Sequence, residues 1–345
     1  MKIVVDRDIP FLSGVFEPWA EVVYLRGDSI GASDVLDADA ILTRTRTRCD
    51  AALLEGSTVR FIGTATIGFD HIDMEWCTSR GIRVVTAAGC NRRGVLQWVS
   101  AALAWLAGNR GLKPSETTLG VVGVGNVGSL VARYAAKWGF RVMCSDPPRE
   151  RAEGLTAVDG FHPLSEIVEH SDVLTFHTPL TTIGPDATRH LVDREFVTST
   201  RPGAVIFNSS RGAIIEPGSL RGSIRDYIAD TWNAEPHIDR EVLNSSLLGT
   251  PHIAGYSLQG KATGTAMVVN ALAREFDLPL PAAAGLDHWY PEGAPRSEAR
   301  DITWDEMCAE MPSHFDIAAE SAALKSAPDR FEAMRDNYDY RLEFF

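Results

Sequence analysis

The stretch Leu119–Arg133, LGVVGVGNVGSLVAR, decides the fold. An apolar strand runs into Gly123-x-Gly125-x-x-Gly128, and a helix opens on the last glycine. The first glycine permits a tight turn, the second lets backbone approach a pyrophosphate, and the third lets helix pack on strand. The helix N-terminus adds free N–H groups and a partial positive charge for phosphates. A glycine pattern alone is weak evidence, but here the context is complete. A second strand, Arg141–Ser145, ends in Asp146, eighteen residues after Gly128. An acidic group there bonds the ribose hydroxyls and repels a 2′-phosphate, which favours NAD over NADP. Gly123, Gly125, Asn126, Val127, Gly128 and Asp146 are therefore the predicted cofactor-binding residues.

Outward from this motif, short β-branched runs alternate with helical stretches, the βαβα order of a parallel sheet. Upstream, strands are expected at Ile3–Val5, Val22–Tyr24, Ala40–Thr43, Val59–Gly63 and Arg83–Thr86. Downstream they are expected at Leu119–Val124, Arg141–Ser145, Val173–His177, Ala204–Asn208 and Tyr227–Asp230. Between the two series lies a long apolar helix from Gly94 to Arg110, and a further helix covers Gly260–Phe276. This predicts an α/β protein of two parallel-sheet, Rossmann- or flavodoxin-like domains with a deep interdomain cleft, plus a short C-terminal helical element. The expected division is 1–94 with 256–288 as a discontinuous substrate-binding domain, 95–255 as the NAD-binding domain, and 289–345 as the C-terminal segment. The Pro- and Gly-rich stretch Leu278–Pro295 reads as a linker.

Composition narrows the partners. The 345 residues carry a formal net charge of −13, so phosphate backbones and anionic lipid are repelled, and neither nucleic acid nor membrane is expected. Five widely spaced cysteines without a CxxC pair point to reduced thiols in the cytoplasm, with no metal site. An anionic ligand would have to be met by local Arg or Lys working against the overall field.

Three segments follow the nucleotide motif at strand ends, where ligands bind in open parallel sheets. They are Asn208-Ser-Ser-Arg-Gly-Ala, Asp230-Thr-Trp-Asn-Ala-Glu-Pro and Thr250-Pro-His-Ile-Ala-Gly-Tyr. Each offers one group that hydride transfer on a 2-hydroxy acid requires. Arg211 suits a two-pronged grip on a carboxylate. His252 suits proton abstraction from the hydroxyl, because imidazole titrates near working pH. Glu235 suits the carboxylate that orients the ring and favours its protonated form.

With these residues in view, the chain resembles the D-isomer-specific 2-hydroxyacid dehydrogenases, whose Arg, Glu and His fall on Arg211, Glu235 and His252. Longer matches carry the resemblance: Phe61-Ile-Gly-Thr-Ala-Thr-x-Gly-x-Asp-His, Ala88-Gly-Cys-Asn, Cys144-x-Asp-Pro-Pro-Arg, Leu174-Thr-Phe-His-Thr-Pro-Leu and Gly249-Thr-Pro-His-Ile-Ala-Gly-Tyr-x-Leu-x-Gly-Lys. They cover roughly residues 1–288. The resemblance implies contacts to NAD from Thr178, Ser209, Asp230 and Gly255, and to substrate from Thr45, Thr66 and Tyr256. It also implies NAD-dependent oxidation of 4-phospho-D-erythronate to 2-oxo-3-hydroxy-4-phosphobutanoate on the way to pyridoxal phosphate, by a homodimer.

One reading of the residues supports a phosphorylated substrate independently. Thr43-Arg-Thr-Arg-Thr-Arg follows an apolar strand, and continued extension would place Arg44, Arg46 and Arg48 on one face as an anion patch. Arg44 is the strongest of the three, since the family also has arginine there. The sequence departs from the resemblance in three places. Arg92-Arg93-Gly94 stands where small or apolar residues are usual, Gln97 stands for a common glutamate, and the chain stops at Phe345 although the family's C-terminal domain continues further. That domain's start is visible in Arg330-Phe-Glu-x-Met-Arg-Asp-Asn-Tyr-x-x-Arg. These departures keep two alternatives open: an enzyme for another phosphorylated or phosphonate 2-hydroxy or 2-oxo acid, and a non-catalytic NAD-sensing protein of the corepressor kind.

Overall fold

The computed structural model describes residues 1–222 and 225–345. Along the chain, β1 (Lys2–Asp6), β2 (Glu21–Leu25), α1 (Ala32–Val35), β3 (Ala40–Thr43), α2 (Ala51–Leu54), β4 (Phe61–Thr64), α3 (Met74–Ser79) and β5 (Arg83–Thr86) come first. The long helix α4 (Arg92–Arg110) follows, then β6 (Thr118–Val122), α5 (Gly128–Lys137), β7 (Arg141–Ser145), α6 (Pro147–Glu153), α7 (Leu164–His170) and β8 (Val173–Phe176). Next are α8 (Arg194–Ser199), β9 (Val205–Asn208), β10 (Asp226–Ala229), α9 (Arg240–Ser245), β11 (Leu248–Gly249) and α10 (Leu258–Glu275). The chain closes with α11 (Trp304–His314), α12 (Ile317–Ser326) and α13 (Phe331–Asp336).

The described residues form two compact units, 1–91 with 257–298 and 92–256 with 299–345. In the first, a parallel sheet runs β2-β1-β3-β4-β5, and α10 packs on β4 and β5. Its interior strands β3 and β4 are buried at every residue, as expected where both faces of a parallel sheet are covered. In the second, the order is β11-β10-β9-β8-β6-β7, again all parallel. Phe161 adds a single parallel bridge outside β7, at Cys144. With it the order becomes that of a dinucleotide-binding sheet. Its topological switch falls between β6 and β8, where ligands bind beyond the strand C-termini.

Helix α4 packs against α11, α12 and α5, all within the second unit. Residues 299–345 contribute Met307, Met311, Ile317, Phe344 and Phe345 to one of its hydrophobic clusters and Leu324 and Phe331 to the other. Boundaries differ from expectation by one or two residues at several strands. β4 starts at Phe61 rather than Val59 because its ladder with β3 begins at the Ala40–Phe61 pair. Two-residue β11 was not anticipated, since two residues show no alternation. No helix among the described residues is long and apolar enough to cross a membrane.

Candidate active site

The glycine loop is built by close approach. Gly123 has φ +84°, and a Cβ there would lie 2.7 Å from Thr178 Cγ2 and 2.8 Å from Thr178 N. A Cβ on Gly128 would lie 1.9 Å from the Gly123 carbonyl oxygen, so the first helical turn can form only around glycine. A Cβ on Gly125 would meet nothing within 4 Å, which leaves that backbone open to a ligand. Gly125 and Asn126 are exposed, Val127 is half-buried, and no side chain caps the start of α5. Ser129 N donates to the Gly125 carbonyl at 3.1 Å, and no side chain takes the other N–H groups of the first turn, the arrangement that binds phosphates.

Asp146 ends β7 beside this loop. One carboxylate oxygen accepts from Val124 N at 2.8 Å, and the other accepts from Arg149 N at 3.2 Å to cap α6. Arg149 in turn donates to the Val124 carbonyl at 2.8 Å. The carboxylate thus ties the glycine loop to the neighbouring strand and keeps lone pairs not used in those bonds.

The loops after β8, β9 and β10 supply hydroxyls. The Oγ atoms of Thr178 and Ser209 are buried and have no partner among the described residues, and Thr231 Oγ1 is in the same state. Ser100 and Ser171 also carry orphaned hydroxyls, but neither follows a strand C-terminus. A buried hydroxyl without a partner costs roughly 1–3 kcal/mol, so a row of them at the switch edge marks a place where a polar ligand completes the bonds. Together with the open Gly125 backbone, this fits a dinucleotide. Sequence reasoning named its neighbour Asp230 and not Thr231, although the position of Thr231 after β10 was a usable signal.

Arg211 follows β9. The Asn208 side chain organises its turn, donating from Nδ2 to the Arg211 carbonyl at 3.0 Å and accepting from Ser210 N at 3.1 Å. A Cβ on Gly212 would lie 1.9 Å from the Trp232 carbonyl oxygen, so this turn presses directly on the loop after β10. That loop presents Glu235. Its Oε1 accepts from Trp232 N at 2.8 Å, and its Oε2 meets His252 Nδ1 at 2.7 Å. With Nδ1–H committed to the carboxylate, Nε2 is the atom left for proton transfer. Burial pushes the Glu235 carboxyl up, but the His252 contact, the Trp232 N–H and the Arg335 charge outweigh it and hold it below the usual carboxylate range. Ala234 and His252 both have φ +58°, a left-handed backbone that costs non-glycine residues about 1 kcal/mol or more. The fold holds both loops in that state.

Asp230 holds the His252 turn. Its carboxylate accepts from Thr250 Oγ1 at 2.6 Å, Ile253 N at 2.8 Å and Ala254 N at 2.9 Å, while its carbonyl accepts from His252 N at 2.8 Å. It is expected at the cofactor, and the three carboxylate bonds leave Oδ2 one further lone pair. Burial raises its pKa, with His252 and these donors working against the rise. Trp98 of α4 donates Nε1–H to Thr250 at 2.8 Å and steadies the same turn. Gly255 lies within it, and Tyr256 N closes it on the Ile253 carbonyl at 2.9 Å. Arg341, near the C-terminus, donates to the carbonyls of Ile253 (2.9 Å), Ala254 (2.5 Å) and Tyr256 (3.1 Å). Sequence reasoning missed this clamp, because nothing local connects residues so far apart in the chain.

Arg44, Thr45 and Thr66 belong to the first unit. The convergence of Arg44, Arg46 and Arg48 does not occur. β3 ends at Thr43, the chain bends over 45–47, and Thr47 turns inward to donate to the Gly27 carbonyl at 2.8 Å. Arg44 instead pairs with buried Asp6 at 3.0 Å and with Asp8 at 2.9 Å, Arg48 pairs with Asp50 at 2.6 Å, and Arg46 is exposed on the bend. Thr45 is exposed, and Thr66 shares a 2.8 Å hydroxyl contact with Thr64 at the end of β4. A cavity of about 900 Å³ in this unit, lined by Arg7, Trp19, Tyr24 and Trp289 among others, contains none of these residues. Chemistry rather than volume identifies the site.

Residues 88–254 match the model of the D-isomer specific 2-hydroxyacid dehydrogenase NAD-binding domain. A relative from Bacteroides fragilis named erythronate-4-phosphate dehydrogenase is 44% identical, over 99% of this chain and 97% of its own length. The chain belongs to the D-isomer-specific 2-hydroxyacid dehydrogenases. Another family member of that name, from Escherichia coli, is 36% identical over the whole of this chain and 92% of its own. The NAD+-bound 3-phosphoglycerate dehydrogenase of Entamoeba histolytica shares the fold, with a TM-score of 0.67 at 23% identity over 82% of this chain and 98% of that one. As a dehydrogenase of this family, the protein is an NAD-dependent oxidoreductase of a small hydroxy acid.

Proposed function

We propose that this dehydrogenase oxidises 4-phospho-D-erythronate at C2 to 2-oxo-3-hydroxy-4-phosphobutanoate, as a step in making pyridoxal phosphate. The observation that carries the chemistry is the 2.7 Å contact between His252 Nδ1 and Glu235, which leaves Nε2 to take a proton. The name shared by full-length relatives supports the substrate. When bound, NAD supplies the acceptor for the hydride that leaves C2. Gly123, Gly125, Asn126, Val127 and Gly128 cradle its pyrophosphate, Asp146 faces the ribose, and Thr178, Ser209 and Gly255 complete its contacts. Arg211 grips the substrate carboxylate and polarises the developing carbonyl. His252 Nε2 takes the hydroxyl proton as the hydride departs, and Glu235 stabilises the imidazolium that forms. Asp230, which also holds the His252 turn, would contact NAD as well. Thr45, Thr66 and Tyr256 contact the substrate, and Arg44 reaches its phosphate while keeping its acidic partners. A cytoplasmic homodimer belongs to the same proposal, and light scattering of the purified protein checks the dimer.

The test is NADH formation from 4-phospho-D-erythronate and NAD, with a 2-oxo acid in a parallel sample to return hydride from the cofactor. Turnover is expected. Absence of turnover, with reduction of other 2-oxo acids intact, would refute the substrate and keep the dehydrogenase. One observation favours that alternative: Arg93 Nη1 is buried without a partner among the described residues, in the segment where small or apolar residues are usual in the family. A panel of phosphorylated, phosphonate and plain 2-hydroxy acids separates the two.

A further inference from the structure

Of the C-terminal motif Arg330–Arg341, Arg341 clamps the turn that carries His252, and Arg335 runs against the proton-transfer pair itself. Arg335 lies on α13. Its Nη1 is 3.8 Å from Glu235 Oε2, the same oxygen that meets His252 Nδ1. The same side chain hydrogen-bonds Tyr256. Its guanidinium carbon is 5.9 Å from the centre of the Phe331 ring, and its Nε is buried without a partner among the described residues. At 3.8 Å the contact to Glu235 is too long for a hydrogen bond. Arg335 therefore acts on that carboxylate through its field, while its bond to Tyr256 fixes where the charge sits.

Other charged and titratable groups lie on the elements packed here. Tyr227 of β10 acts on Glu235 and Asp230, just after β10, on His252, while Glu320 of α12 and Tyr338 after α13 act on Asp230, on one another and on Arg341. Arg341 balances Glu320, which leaves Arg335 as the cation nearest Glu235 besides His252. A carboxylate with no such neighbour favours the imidazolium more strongly. A cation on the same oxygen draws off part of that effect.

We propose that Arg335 is a positioning residue of the dehydrogenase, which weakens the pull of Glu235 on the His252 proton and anchors Tyr256 over the site. This rests on the reading of His252 as the base. It makes the C-terminal segment part of the active centre, although Arg335 touches no reacting atom.

The experiment follows the His252 imidazole by NMR across a pH series of the NAD-saturated enzyme, with the resonance assigned by its loss in His252→Ala. In Arg335→Gln the titration moves upward by about half to one pH unit, because the opposing charge is gone. The acidic limb of kcat/KM for 4-phospho-D-erythronate moves with it. Arg335→Lys keeps the charge and the apolar stem. Its titration stays with the wild type, while KM rises several-fold from the lost Tyr256 contact. This variant carries the test if the glutamine variant does not fold. An unmoved titration in Arg335→Gln, or a lysine variant with a displaced titration or an unchanged KM, overturns the proposal. Wild-type turnover in His252→Ala would instead sink the reading of the base itself.

Discussion

Two stretches that follow parallel strands treat their polar side chains in opposite ways. After β3, in the first unit, Arg44 and Arg48 are each met by carboxylates of their own unit. After β8 and β9, in the second unit, Thr178 and Ser209 carry neutral hydroxyls whose buried oxygens have no partner among the described residues. In the sequence the arginine stretch reads as an anion site from its own pattern, whereas Thr178 and Ser209 are pointed to NAD by the family resemblance. Charge density is a poor guide to binding where acidic neighbours are plentiful, and this chain carries 46 of them against 33 Lys and Arg. Unfilled hydrogen-bonding capacity at a strand end is the better guide, because a folded protein tolerates it only where something else completes it.

The largest effect that sharpens this contrast is expected at His252. His252→Ala should lower kcat by about 10³- to 10⁴-fold, because the lost group acts in the transition state. NAD affinity, measured by fluorescence titration, should stay within about twofold, since the cofactor cradle is built by other loops. A wild-type kcat would mean that the Glu235–His252 contact is a structural ion pair and that the second unit is no more catalytic than the first.

A smaller effect is expected at Arg44, and of a different kind. Asp6 is fully buried, and its carboxylate meets Arg44 Nε at 3.0 Å and the Asp8 N–H at 3.0 Å. Arg44→Ala leaves that carboxylate short of its cation, at a cost on the order of 3 kcal/mol, read as a lower urea midpoint with an unchanged slope. If Arg44 also reaches the substrate phosphate, KM rises for phosphorylated acids and not for plain ones. An equal rise for both classes, with stability intact, would reverse the comparison and make Arg44 a ligand first and a structural residue second.

Much of the fold is legible in the sequence, for physical reasons. The βαβ order, the Arg83–Thr86 and Arg141–Ser145 strands and the glycine turn rest on local patterns that tertiary context does not override. What local pattern cannot show is which partner wins a competition. The alternation Arg44-x-Arg46-x-Arg48 promises a shared face, but burying Thr47 against the Gly27 carbonyl bends the backbone and spoils it. Asp230 is named for NAD by resemblance, and nothing local shows that its oxygens also hold the turn at 250–254. Arg335 and Arg341 lie some eighty residues or more from the loops they serve, a distance at which no periodicity or spacing carries a signal.

The smallest effect is also the sharpest test of the contrast between the two units. Thr178→Val replaces an orphaned hydroxyl with a methyl of nearly the same shape, and Gly123 already packs against this residue's other methyl. Removing an unsatisfied polar atom should leave stability unchanged or raise it by up to about 1 kcal/mol in thermal unfolding without cofactor. With NAD present the order should invert. The variant should bind NAD several-fold more weakly and so gain less stabilisation from it at a fixed concentration, because ligand binding adds RT ln(1 + [L]/Kd) to the native state. A loss of stability without cofactor would show that the hydroxyl is satisfied within the protein. Equal NAD affinity would show that the open valence at the end of β8 belongs to no ligand, and the contrast with Arg44 would then lose its meaning.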